Sequence, residues 1–213
     1  MSQQSVRSLF IASIGNPGRY RNTRHSAGHL LLDAITPLLP NHLPPRYKTW
    51  QSPSLMNDSG KKLVRELDTF RRLETSTTAN ANPLTLVILH DELEKPLGKI
   101  VVRRGGPEKY SLRGHNGLKD IFQWLDKKKM YPHDPTLSIL RIGVGIGRPS
   151  SRNSDEVSTY VLTPMGLKEL DAVNRAAGYA VDVLAEEAGK AEIGNSSPET
   201  THYIVGYPKA KSL

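Results

Sequence analysis

Histidine, aspartate and asparagine, rather than serine or cysteine, are the residues of this sequence placed to do chemistry. Asn16 follows one short apolar run, His25 opens the segment after it, and Asp91 ends a second apolar run. An imidazole whose far nitrogen is oriented by a carboxylate can take a proton from water. Asparagine amides can then donate hydrogen bonds to a carbonyl oxygen as it gains negative charge. Asn57 and Asn116 supply two further amides, each near a glycine that lets the backbone approach a substrate closely. Singly, each residue has an ordinary explanation: Asp91 capping a turn, Asn16 serving the Pro17-Gly18 turn, His25 standing at a helix start. It is the combination that points to hydrolysis by an activated water.

Other chemistries find less support. Gly15-Asn16-Pro17-Gly18 has two glycines, and Gly143-Val144-Gly145-Ile146-Gly147 runs into Arg148-Pro149 rather than a helix, so neither is a dinucleotide fingerprint. The Walker lysine motif, the nucleophile elbow and the His-Glu-x-x-His zinc motif are all missing. His25 and His29 have the spacing of a metal-binding pair on a helix, but the chain has no cysteine and offers no obvious third ligand. No metal or other cofactor is expected, and His29 reads as an ordinary helix residue at the core edge or facing solvent.

The elements that must position these groups can be traced by hydrophobic period. Residues 9–14 form a buried strand running into a Gly-Asn-Pro-Gly turn, and residues 23–39 carry helical spacing closed by Pro37 and Pro40. A proline-rich loop with one short edge strand at 46–51 comes next, then a helix over 55–73 with a basic outer face. Residues 84–89 are the strongest strand and the expected centre of the sheet. Strands at 99–104 and 137–144, a short helix at 117–125 and a long amphipathic helix at 167–188 complete the pattern. The lead 1–8 is short and polar, and the tail from Gly189 is expected to be loose apart from docking of residues 203–207.

Alternating strands and helices imply an α/β fold: a single-domain αβα sandwich over residues 1–213, with a mixed, mainly parallel, twisted sheet. Ligands of such sheets bind at the carboxyl ends of the strands, which is where Asn16 and Asp91 fall. The absence of cysteine argues against a disulfide-dependent secreted protein and favours the cytosol or an organelle matrix. No apolar stretch is long enough to span a membrane. A formal charge of +8 and a pI near 9.7 suit a polyanionic partner such as RNA, although a generally basic surface would give the same total. Nothing marks a dimer face, so a monomer is expected.

Four segments together resemble the bacterial-type peptidyl-tRNA hydrolase family. They are Ile14-Gly15-Asn16-Pro17-Gly18 with Tyr20 and Thr23-Arg24-His25-Ser26-Ala27-Gly28; Met56-Asn57-Asp58-Ser59-Gly60; His90-Asp91-Glu92-Leu93; and Gly114-His115-Asn116-Gly117-Leu118-Lys119-Asp120-Ile121. A fifth, Leu140-Arg141-Ile142-Gly143-Val144-Gly145, follows in order. The resemblance implies hydrolysis of the ester between a peptide and the terminal ribose of tRNA. It assigns His25 as general base, Asp91 as its orienting partner, and Asn116 as anchor for the water or the oxyanion. Asn16 and Asn57 would hold the substrate, with Tyr20, Met56 and Gly114 shaping the cleft. Arg103 and Arg141, with Lys119 and Arg113, would meet tRNA phosphates. A non-catalytic RNA-binding relative is the alternative, against which stands the retention of His25 and Asp91. Two segments depart from the family pattern: Trp50-Gln51-Ser52-Pro53-Ser54-Leu55-Met56, and the glycine loop 105–114, which is longer than usual.

Overall fold

The computed structural model describes residues 7–44, 46–77, 83–112, 114–190 and 201–203. Its centre is one six-stranded sheet in the order β2-β1-β3-β5-β4-β6. The strands are β1 (Ser8–Ser13), β2 (Tyr47–Gln51), β3 (Leu84–Glu92), β4 (Ile100–Arg104), β5 (Leu137–Gly145) and β6 (Thr201–Tyr203). β2, β1, β3 and β5 are mutually parallel, and β4 pairs antiparallel with both β5 and β6. The mixed, mainly parallel sheet expected from the sequence is therefore present. β3 lies inside it between β1 and β5, and β2 is an edge strand.

Both faces of the sheet are covered, which is why its strands are nearly continuous apolar runs. Alternate residues feed two cores. Leu9 and Ile11 of β1, Val87 and Leu89 of β3, and Ile142 and Val144 of β5 face one side. There they meet Leu31 and Ile35 of α1 (Ala27–Ile35) and Val173, Ala177, Val181 and Leu184 of α6 (Leu167–Ala188). Phe10, Ala12, Leu86, Ile88 and Ile139 face the other side. Leu63 and Leu67 of α3 (Gly60–Thr77) and Ile121, Phe122 and Leu125 of α4 (Asn116–Lys127) pack there. Each fully buried leucine, isoleucine or phenylalanine contributes about 1.5–3 kcal/mol relative to exposure, so the alternation fixes the register of every strand.

Several boundaries differ from the sequence expectation. The stretch 23–39 is not one helix: a 3-10 turn at Arg24–Ser26 leads into α1, and a second short helix, α2 (Leu39–His42), follows a break. Pro37 lacks the N–H that would continue the ladder. The segment read as starting a helix at residue 55 is a 3-10 turn, Met56–Asp58, before α3 begins at Gly60. Helix α5 (Ser154–Leu162) was absent from the sequence reading. In the tail, residues 201–203 dock as edge strand β6 on β4, while the rest of the proposed docking segment, 204–207, lies outside the described residues, as do residues 1–6 of the lead, whose last residue, Ser8, already belongs to β1. Among the described residues, no helix is long and apolar enough to cross a membrane.

Candidate active site

The parallel strands β1 and β3 end side by side, and the turn after β1 brings Asn16 to that edge. The turn reverses at Gly18, whose φ of +62° is a left-handed conformation that glycine adopts without strain. Ser26 fastens the turn to the one bearing His25: its Oγ accepts the Asn16 N–H at 2.9 Å and donates to the Tyr20 carbonyl at 2.8 Å. Arg24 anchors the same turn from behind. Its guanidinium grips both carboxylate oxygens of Glu169 on α6, at 2.8 and 3.1 Å, and lies 4.2 Å from the Tyr160 ring centroid on α5. Gly28 then lets α1 settle onto the strand ends, for a Cβ there would fall 2.4 Å from the Leu89 carbonyl oxygen and 2.7 Å from that of Ile14.

These supports place His25 against Asp91, the two side chains joined at 3.1 Å between Nδ1 and Oδ2. Asp91 is buried, while the His25 side chain keeps 23% of its surface exposed. With Nδ1 committed to the carboxylate, Nε2 is the nitrogen free to accept a proton. Burial opposes a charge on His25, but the Asp91 charge and its hydrogen bond outweigh it, and the pKa rises above the ordinary 6.5. For Asp91, burial disfavours ionisation, yet His25 and His115 overcome it and hold the carboxylate well below its usual range.

Asn16 and Asn116 adjoin residues that meet this pair or its turn: Ser26 beside His25, and His115 at Asp91. Asn16 is buried, and its Oδ1 accepts the Met56 N–H at 2.8 Å, which orients the amide and leaves its NH2 as the free end. Asn57 is exposed on the 3-10 turn beside it. Met56 is itself in the core, with Gly117 of α4 so close that a Cβ there would lie 2.5 Å from Met56 Cγ. Asn116 opens α4 with an exposed side chain whose Oδ1 accepts from Lys119 Nζ at 3.3 Å. Tyr20 is half-buried, its hydroxyl accepting from Arg19 at 2.9 Å. Gly114, exposed with φ of +82°, turns the chain into α4.

The expected phosphate contacts fare unevenly. Lys119 is exposed on α4, and Arg103 is half-buried in an ion pair with Glu92. Arg141, paired with Arg103 across β4 and β5, is 2% exposed, its side chain enclosed by the protein. The long glycine loop folds over it: the Tyr110 ring centroid lies 5.4 Å from its guanidinium carbon, and Phe122 lies 6.0 Å away. Gly106 N–H, shared between Glu108 Oε1 at 2.9 Å and Tyr131 Oη at 3.0 Å, fastens that loop. Burial lowers the Arg141 pKa to about 10. Arg113 lies outside the described residues.

Two histidines correct or extend the sequence reading. His29 does not face solvent: it is fully buried, Nδ1 held by Ser13 Oγ at 2.8 Å, and burial depresses its pKa to about 4. Its ring serves Ser13 while that of His25 serves Asp91, so the two do not share a ligand position. Among the described residues, no group of three or more histidine, cysteine, aspartate or glutamate side chains is arranged to hold a metal ion. His115, which the sequence reading left without a role, reaches Asp91 from the other side, Nε2 to Oδ1 at 3.4 Å. Its position beside Asn116 in a glycine-flanked segment was the available signal.

The family model for peptidyl-tRNA hydrolase matches residues 46–201. A probable peptidyl-tRNA hydrolase of Schizosaccharomyces pombe is 36% identical over 169 residues, covering 76% of this chain and 74% of that protein. A peptidyl-tRNA hydrolase of Solidesulfovibrio magneticus is 30% identical over 203 residues, covering 82% of this chain and 84% of its own length. Among solved structures, a peptidyl-tRNA hydrolase of Acinetobacter baumannii shares the fold with a TM-score of 0.53 at 22% identity, over 91% of this chain and all of that one. With the matched segment spanning most of the chain, this protein belongs to the peptidyl-tRNA hydrolase family.

Proposed function

We propose that this protein cleaves the ester bond between a peptide and the terminal ribose of tRNA, freeing both, by means of a water activated at His25. The observation that carries the mechanism is the His25 Nδ1 to Asp91 Oδ2 hydrogen bond at 3.1 Å, which leaves Nε2 free at a partly exposed position. In this reading Nε2 takes a proton from water as the water oxygen adds to the ester carbonyl carbon. The imidazolium, stabilised by Asp91, returns that proton to the ribose oxygen as the carbon–oxygen bond breaks. Because a ribose hydroxyl is a better leaving group than an amine, no covalent intermediate is needed.

The free NH2 of Asn16 donates to the carbonyl oxygen as it becomes negative. Asn116 holds the water or that oxygen, Asn57 binds the substrate backbone, and Tyr20, Met56 and Gly114 shape the cleft around it. Lys119 and Arg103 meet tRNA phosphates, with Arg113 beside them, in contacts that are independent of sequence. Arg141 adds its positive charge to theirs from beneath Tyr110. The chain acts as a single-domain monomer without metal or other cofactor.

The test is release of the N-blocked amino acid from N-blocked aminoacyl-tRNA, compared with an amide analogue of the same 3′ end, with and without a chelator. Rapid, chelator-resistant cleavage of the ester alone supports the reading. Cleavage of the amide at a similar rate, or loss of activity on chelation, speaks against it.

A further inference from the structure

The proposed reaction leaves one imidazole of the site without a task. His115 is the N-cap of α4, and its Nδ1 accepts the Leu118 N–H at 3.3 Å. A ring nitrogen that accepts a backbone N–H carries no proton, so the neutral ring is protonated on Nε2. That nitrogen lies 3.4 Å from Asp91 Oδ1, the carboxylate oxygen not used by His25. The contact is within ion-pair range but off-line for a full hydrogen bond, and among the described residues neither atom has another partner. The surroundings leave few alternatives. His90 of β3 packs edge-on to His115, ring centroids 5.0 Å apart, and its own Nδ1 donates to the Asp91 carbonyl at 2.7 Å. Among the described residues, the charged and titratable groups acting on this cluster are His25 from the 3-10 turn, Asp91 and His90 from β3, His115 from α4 and Arg141 from β5.

We propose that His115 is a positioning residue for the hydrolysis, holding Asp91 by its second oxygen so that the first stays aligned on His25. This rests on the reading of His25 and Asp91 as the catalytic pair. Because the imidazole that caps α4 is also the one that meets Asp91, seating of that helix and alignment of the base depend on each other. Asn116, the first residue of the same helix, is set by the same cap. The N–H of His115 also draws on the carboxylate charge that would otherwise act wholly on His25. Its loss therefore makes His25 more basic while loosening the alignment of the pair.

His115→Asn separates the two jobs of this side chain. Asparagine is among the best N-caps, so the α4 cap is retained, but its short amide withdraws from Asp91. The measurements are kcat, KM and the pH dependence of kcat/KM on N-blocked aminoacyl-tRNA, with the thermal midpoint recorded alongside. The expected result is a folded protein with KM nearly unchanged, kcat lower by about 10- to 100-fold, and the acidic limb of the profile moved to higher pH. His115→Gln, whose longer amide can again donate to Asp91, is expected to recover part of the rate and return the limb towards its wild-type position. A folded His115→Asn with wild-type kcat and an unmoved limb would overturn the proposal, as would a fall in thermal midpoint with the limb unmoved. Should His115→Asn not fold, His115→Ala and His115→Gln decide together: an Ala limb moved upward with the Gln limb near the wild-type position supports the proposal, and both limbs unmoved, or a Gln limb shifted as far as that of His115→Ala, contradicts it. His25→Ala run in parallel tells the two readings apart. If it turns over normally, the assignment of the pair itself fails; if it is inactive and His115→Asn is unshifted, only the role of His115 fails.

Discussion

The side-chain oxygen of Asn16 accepts the backbone N–H of Met56 at 2.8 Å, across 40 residues of chain. One hydrogen bond thus joins the turn after β1 to the turn before α3, and it decides which end of the amide is left free. Asn16→Asp keeps an acceptor for Met56 but replaces the free NH2 with a carboxylate oxygen. Steady-state kinetics are expected to show kcat lower by about 100-fold or more, the cost of removing one oxyanion donor, with little change in the thermal midpoint. A wild-type kcat would remove Asn16 from the reaction.

The pH dependence has two parts of opposite sign. The proposed mechanism needs neutral His25, whose pKa is raised by Asp91, so kcat/KM is expected to fall on the acid side with a midpoint above 6.5. For stability, the raised pKa of His25 contributes most below 6.5 and is lost as pH rises through the folded value. His29 and His90 act the other way: burial holds them near 4 and 3, so between 6.5 and those values the unfolded chain binds protons that the folded one refuses. Each costs up to about 1.4 kcal/mol per pH unit in that window. Asp91, depressed, loses its contribution only at still lower pH, as pH falls below its ordinary range. Two histidines outweigh one, and urea unfolding is expected to show a less stable protein at pH 5 than at pH 7.5. Equal stability at both would contradict the neutral burial of His29 and His90.

Gly28 carries the approach of α1 to the strand ends, and there the obstacle to a side chain is backbone on two sides. Gly28→Ala is expected to lower unfolding free energy by about 1–3 kcal/mol and to reduce kcat by displacing His25. Denaturant unfolding and turnover measured on the same preparation check both.

How much of this could be read from the chain varies with the range of the interaction. Strands β1, β3 and β5 were legible because both sheet faces are covered and the runs are continuously apolar. Helix α5 was not, since none of its residues is buried and it shows little apolar periodicity. The missed signal was its cap, Asn153 accepting from the N–H groups of Asp155 and Glu156, both acidic first-turn residues. His25 and Asp91 could be named as a pair only through the combination of motifs, for nothing local joins residues on different elements. Arg141 shows the converse limit of local reading. A cation on a strand reads as facing ligand or solvent, but a loop that starts beyond the neighbouring strand covers it, and no local pattern reports that cover. The solvent-facing alternative for His29 failed for the same reason: its burial depends on Ser13 of β1, reached only when the helix packs.

For binding, Lys119 is the most exposed of the proposed phosphate contacts among the described residues. Lys119→Gln is expected to weaken tRNA affinity modestly for every tRNA tested and to reduce the slope of log Kd against log salt by about 0.9. An unchanged slope would place Lys119 outside the interface.

The most direct test of the central claim is turnover of N-blocked aminoacyl-tRNA by His25→Ala, with tRNA affinity and thermal midpoint measured on the same protein. The expected result is a fall in kcat of about 100- to 10,000-fold with affinity and folding close to wild type. Turnover at the wild-type rate by that variant would contradict a water activated at His25.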